Sequence, residues 1–164
     1  DRVRIGNKLM FTKNVYCDVI DNTISGGRVV RFEYDGENIY NVIDGCKLIV
    51  TCTPAEMPLI NRVNPGTHIT AMGSDTLSKQ ELDSSILLEA DLVVADSKSQ
   101  CEIRGEIHQA IKLNRFSMDT VVELGEIING DKEGRTSEKQ ITIADLTGVA
   151  VQDIQISKAV LSHL

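Results

Sequence analysis

GTHITAMGSDTLSKQEL, residues 66–82, carries the pattern that decides the fold. Asn64-Pro65-Gly66 is a turn, THITAM is a short apolar strand, and Gly73-Ser74-Asp75 follows where that strand stops. The same form recurs on either side. KLIVTC at 47–52 runs into Thr53-Pro54, where a residue without an N–H sends the chain out of the sheet. DLVVAD at 91–96 is another apolar strand, and Gln140 to Ala144 is a further one, ending in Asp145-Leu146-Thr147-Gly148. Strands that are apolar along their whole length and alternate with helices imply an α/β fold, a mostly parallel sheet with helices on both faces. In such sheets ligands bind outside the carboxyl ends of the strands. Thr53, Gly73-Ser74-Asp75 and the 145–148 turn then converge on one edge, and a pocket is expected there.

Helical spacing fills the intervals. Glu37 to Asp44 has Ile39, Val42 and Ile43 at helical positions, with Gly45 as a stop. Asp83 or Ser84 is placed to cap a short helix through Leu88. Ser97 to Lys112 reads as one helix with Cys101, Ile103, Ile107, Ala110 and Ile111 inward, and Ser99 with Glu102 fits a capping box. Asp119 to Ile128 reads as the next, with Gly130 past its end, and Gly148 to His163 as a closing helix. Ahead of these, Val15 to Ile20 and Arg28 to Tyr34 read as strands separated by a Ser25-Gly26-Gly27 loop.

The chain has 164 residues, 41% hydrophobic and 25% charged, which suits one folded domain with a real core and excludes a disordered segment. A net charge of −7 without any block of basic residues leaves no footprint for nucleic acid or an anionic membrane surface. No apolar run approaches the roughly 20 residues of a membrane span, and the first residues lack the pattern of a signal peptide. Cys17, Cys46, Cys52 and Cys101 are irregularly spaced, which fits thiols in a cytoplasmic protein. His68, His108 and His163 are too dispersed to suggest a metal site.

Each candidate site residue has a plainer alternative. Asp75 follows two small residues, so its carboxylate can approach a ligand amine; equally, it can cap a helix that begins nearby. Lys79 can neutralise a phosphate or reach a carbonyl, or it is a solvated lysine. Thr53 offers a hydroxyl to a ligand or simply ends its strand. Asp21 stands where an acid after a second strand would hold ribose hydroxyls, or it opens a turn with Asn22. His108, in mid-helix beside Gln109, is read as a surface or core-edge residue.

From Cys46 to Leu161, about two thirds of the sequence, the chain resembles the ornithine cyclodeaminase and mu-crystallin family. The resemblance runs through TCTPAEMPLI, PGTHITAMGSDTLSKQELD, ADLVVADSKSQCEIRGEIHQAI and ELGEIINGDKEGRTSEKQITIADLTGVAVQD, in family order and spacing. It implies a Rossmann-like domain that binds NAD or NADP, in an enzyme that moves hydride to or from the α carbon of a small amino acid or imino acid through an imine. Its second class of member, typified by the mu-crystallins, binds NADP(H) and a small ligand. The resemblance matches Asp75 to the acid that exchanges protons with the substrate amine and Lys79 to a lysine near the cofactor. It matches Thr53 to a cofactor-binding threonine and the strand end Ile69, Thr70, Ala71 and Met72 to backbone along the nicotinamide. Leu146 is matched to the cofactor, Thr147 to substrate, and Asp21 to the ribose-binding acid.

Two departures stand out. Leu77-Ser78 replaces the family's Pro-Gly, and no G-x-G-x-x-G turn is present. The expectation is therefore a single nucleotide-binding domain over residues 1–164, or a fragment of one. The family's N-terminal domain, which supplies homodimer contacts and substrate-binding residues, would be largely absent.

Overall fold

Short β-branched and aliphatic runs become parallel strands here because each can bury one face under a helix and hydrogen-bond to a neighbouring strand. The computed structural model describes residues 43–162, with the backbone of three further strands before them. Those are β1 (Lys8–Phe11), β2 (Tyr16–Asp21) and β3 (Arg28–Glu33). The remaining strands are β4 (Leu48–Thr51), β5 (His68–Ala71), β6 (Leu92–Ala95), β7 (Val121–Glu123) and β8 (Thr142–Asp145). They form one sheet in the order β3-β2-β1-β4-β5-β8-β6-β7. From β1 to β7 every neighbouring pair is parallel, while β1, β2 and β3 pair antiparallel.

The register fixes the core. Ile49, Ile69, Ile143, Val93 and Val121 lie in one row across five strands, all buried. Ile86 and Leu87 of α1 (Ser84–Glu89) and Ile107 and Ala110 of α3 (Glu106–Lys112) join the same cluster. A fully buried side chain of this size stabilises the fold by about 1.5–3 kcal/mol. The opposite face carries Leu124 and Ile127 of α4 (Leu124–Ile128), over a hollow of about 310 Å³ that also reaches Thr70 and Leu146. The closing helix, α5 (Ala150–Leu161), has no buried residue.

Three expectations change. The helix read over Ser97 to Lys112 is two helices, α2 (Lys98–Cys101) and α3, because Gly105 takes φ +94 between them. Ile103, read as inward, is 58% exposed at that break, and Ser97 rather than Ser99 begins the first piece. The helix read from Asp119 is a single 3₁₀ turn (Met118–Thr120) followed by β7, since Val121 and Val122 pair with Val93 and Val94. The α-helix begins only at Leu124, opened by a capping box between Glu123 and Glu126 and ended at Asn129, before Gly130. The expected helix over Glu37 to Asp44 lies almost wholly outside the described residues.

Candidate active site

Three strand ends meet at the carboxyl edge of the sheet. Thr51, Ala71 and Asp145 are aligned across β4, β5 and β8, so the chain leaves the sheet at Cys52, Met72 and Leu146 side by side. The Met72 N–H donates to the Thr51 carbonyl and the Leu146 N–H to the Ala71 carbonyl, each at 2.8 Å, which carries the ladder one residue further.

Beyond that point the backbone amides have no sheet partner, and buried carboxylates take them instead. Glu81 accepts from the Thr53 N–H at 2.5 Å and from the Gly73 N–H at 2.9 Å, joining the ends of β4 and β5. Glu106, the first residue of α3, accepts from the Ser74 hydroxyl at 2.5 Å and from the Glu81 and Leu82 N–H groups at 2.7 and 3.0 Å. Asp145 accepts from the Ile107 N–H at 2.8 Å. Asp96, at the end of β6, accepts from the Gly148 N–H at 2.8 Å and the Thr147 hydroxyl at 3.2 Å. Among the described residues none of Glu81, Glu106 and Asp145 carries an ion pair.

Burial sets the electrostatics of this layer. It pushes the Glu106 carboxyl up to about 7, against the Ser74 hydroxyl and the two N–H groups that favour the charged form. It holds Asp145 well above the ordinary carboxylate range, with Glu106 and Asp96 adding repulsion and the Ile107 N–H opposing. Close approach demands glycine at two places. A Cβ at Gly73 would stand 2.2 Å from the Thr53 carbonyl oxygen, and one at Gly105 would stand 2.6 Å from Asp145 Oδ2.

On this support lies an irregular loop from Gly73 to Asp83. Asp75 projects from it with its side chain 53% exposed, and Lys79 Nζ meets Asp75 Oδ1 at 2.6 Å. Asp75 is not a helix cap: the next helix is α1, and its cap is Asp83, whose carboxylate accepts from the Ser85 N–H. Nor is Lys79 a fully solvated lysine, since its side chain is 25% exposed and paired.

The other sequence candidates divide. Thr53 is buried, its Oγ1 accepting from the Ala55 N–H at 3.3 Å, and Thr147 is buried against Asp96. Met72 is 50% exposed and Leu146 half-buried, on adjacent strand ends. Thr53, Met72, Asp75, Lys79, Leu146 and Thr147 are thus brought to one edge. Ile69 and Ala71 lie below it, their side chains in the core, and Thr70 faces the hollow on the other side with Oγ1 3.2 Å from His68 Nε2. Asp21 is not brought there. It ends β2, which runs antiparallel to β1, and the pairing of Leu9 with Val19 carries it past the amino end of β1. An acid after a second strand reaches the carboxyl edge only when that strand is parallel to the first. His108 hydrogen-bonds the Glu102 carbonyl at 2.9 Å through Nδ1, a structural contact in keeping with a core-edge role.

A family model described as the ornithine cyclodeaminase/mu-crystallin family matches residues 35–164. The chain belongs to that family. Among its members, an uncharacterized cyclodeaminase of Sinorhizobium fredii is 47% identical over 118 residues, covering 70% of this chain and 36% of that protein. An archaeal alanine dehydrogenase dimer with bound NAD matches with a TM-score of 0.66 at 41% identity, over 69% of this chain and 36% of the other. The Δ1-pyrroline-2-carboxylate reductase of Thermococcus litoralis, in complex with NADH and L-proline, matches with a TM-score of 0.67 at 26% identity, over 71% of this chain and 37% of that one. The chain therefore spans little more than a third of the length of such relatives. The ornithine cyclodeaminase-family domain seen here is the Rossmann-like one that those structures share.

Proposed function

We propose that the protein to which this chain contributes is an NAD(P)-dependent oxidoreductase or cyclodeaminase acting on a small amino acid or its imine. The observation that carries this is the Asp75–Lys79 pair, standing free of the sheet beside the joined ends of β4, β5 and β8. Two structural neighbours hold NAD or NADH, and one of them holds L-proline.

The residues at this edge fit the nicotinamide end of the cofactor. Met72 and Leu146 offer apolar surface on adjacent strand ends, and Lys79 offers a cation on the loop that follows β5. A bound nicotinamide supplies the hydride acceptor or donor for the substrate's α carbon. Asp75 then exchanges a proton with the substrate nitrogen, its carboxylate accepting from the amine when an imine forms and returning the proton in the reverse direction. Lys79, its Nζ 2.6 Å from Asp75 Oδ1, fixes where that carboxylate stands. Thr147, fixed by Asp96, lines the substrate side. In a cyclodeaminase the same imine is attacked by the substrate's own side-chain amine, ammonia leaves, and hydride returns to carbon.

A homodimer is part of the proposal, as is a cytoplasmic setting. The archaeal relative is a dimer, and among the described residues no disulfide joins Cys46, Cys52 and Cys101. The test is to supply the intact protein with NAD⁺ or NADP⁺ and a panel of small L-amino acids, following reduced nicotinamide by absorbance. The reverse assay uses cyclic imines. Turnover with at least one substrate is expected. Saturable cofactor binding without turnover on any of them selects the mu-crystallin-like binding function instead.

A further inference from the structure

The loop that bears Asp75 and Lys79 is anchored at both ends by buried acids, yet its apex has little to rest on. Gly73 and Thr53 are tied by Glu81, and Ser74, Glu81 and Leu82 by Glu106. Between these anchors Thr76, Leu77 and Ser78 are exposed, Leu77 by 65%. Backbone contact with the body resumes only at Gln80, whose N–H donates to the Ala55 carbonyl at 2.9 Å. Between Thr76 and Lys79 one side chain from the body of the domain reaches the loop among the described residues. Gln109 Nε2 donates to the Leu77 carbonyl at 2.9 Å and to the Lys79 carbonyl at 3.2 Å.

Gln109 stands three residues after Glu106 on α3, so both project from neighbouring positions of one helix toward the same loop. Two carbonyl acceptors fix the orientation of the amide, because only its NH₂ end has two donors to give. A carboxylate in its place would set oxygen against both carbonyls. The tether holds the stretch Leu77-Ser78, where no proline fixes the backbone φ.

We propose that Gln109 is a positioning residue for the proton-handling pair. By gripping the apex from α3 it holds Asp75 and Lys79 at the distance the chemistry needs. The inference rests on the oxidoreductase reading above. Positional errors of about 1 Å at a reacting group cost up to about a hundredfold in rate, so a single tether has leverage on turnover.

The experiment compares Gln109→Glu and Gln109→Leu with the unsubstituted intact protein. Order parameters for the Thr76–Lys79 amides, from ¹⁵N relaxation, should fall from about 0.85 to below about 0.6 in both variants. kcat should fall about tenfold or more while the cofactor Kd stays within about twofold, a split that general destabilisation does not produce. Unchanged order parameters overturn the tether. A loosened apex with kcat intact overturns the positioning role. Absence of turnover in the unsubstituted protein counts against the oxidoreductase reading alone, and the order parameters still decide the tether.

Discussion

A carboxylate that receives three hydrogen bonds yet titrates at about 7, as Glu106 does, is held between burial and its donors. The sign of its effect on stability follows. An ordinary glutamate titrates at about 4.3, so between there and 7 the folded chain keeps a proton that the unfolded chain has released. This contribution is fully present below the unfolded value and is lost as pH rises through 7. One proton corresponds to a slope of at most about 1.4 kcal/mol per pH unit. Asp145, shifted the same way, adds to it. Urea unfolding at pH 5 and pH 7 should show a falling stability that Glu106→Gln flattens; an unaltered slope in the variant places the effect elsewhere. Gly73→Ala should cost about 1–3 kcal/mol by the same assay, because the Thr53 carbonyl that a Cβ would strike is backbone and cannot rotate away. Residues of this kind were only partly legible. The Asp83 cap was readable because it serves Ser85, two positions on. Glu81 was not, because one of its partners lies 28 residues away and the pairing exists only once β4 and β5 are side by side.

Among the elements, those that run straight from a turn to a polar stop were legible, and those that change type midway were not. β4, β5, β6 and β8 fall within the apolar runs from which they were read, β8 reaching one residue past its run to Asp145. The Ser97–Lys112 stretch keeps helical periodicity through Gly105, yet the chain breaks there so that α3 can begin against Asp145 and Glu106 can reach the loop. Val121-Val122 satisfies a helical period as well as a strand, and the free edge of β6 decides between them. The row of Ile49, Ile69, Ile143 and Val93 gives the sheet its shared core. Ile143→Ala, at the centre of that row, should lower unfolding free energy by about 2–5 kcal/mol. Urea titration measures this directly, and a loss below about 1 kcal/mol would mean that the row is not a common core.

For the molecule as a whole, the sheet order places the ends of β4, β5 and β8 together, and everything at the site follows from that adjacency. The carboxyl edge and its Thr53, Asp75 and Thr147 were legible from the strand-end rule. The assignment of Asp75 over a simple cap came from resemblance, and its geometry beside Lys79 came from the fold. A cofactor that seats here must stabilise the native state, by about 2.7 kcal/mol at a hundredfold excess over Kd. A thermal melt of the intact protein with NAD(H) or NADP(H) should therefore rise, and the larger rise identifies the preferred cofactor. The proton-handling role of Asp75 is tested most directly by steady-state kinetics of Asp75→Asn in the intact protein, with cofactor affinity measured alongside. There kcat should fall at least about a hundredfold while cofactor Kd stays within about twofold. Full turnover by Asp75→Asn on a substrate that the unsubstituted protein accepts would contradict it.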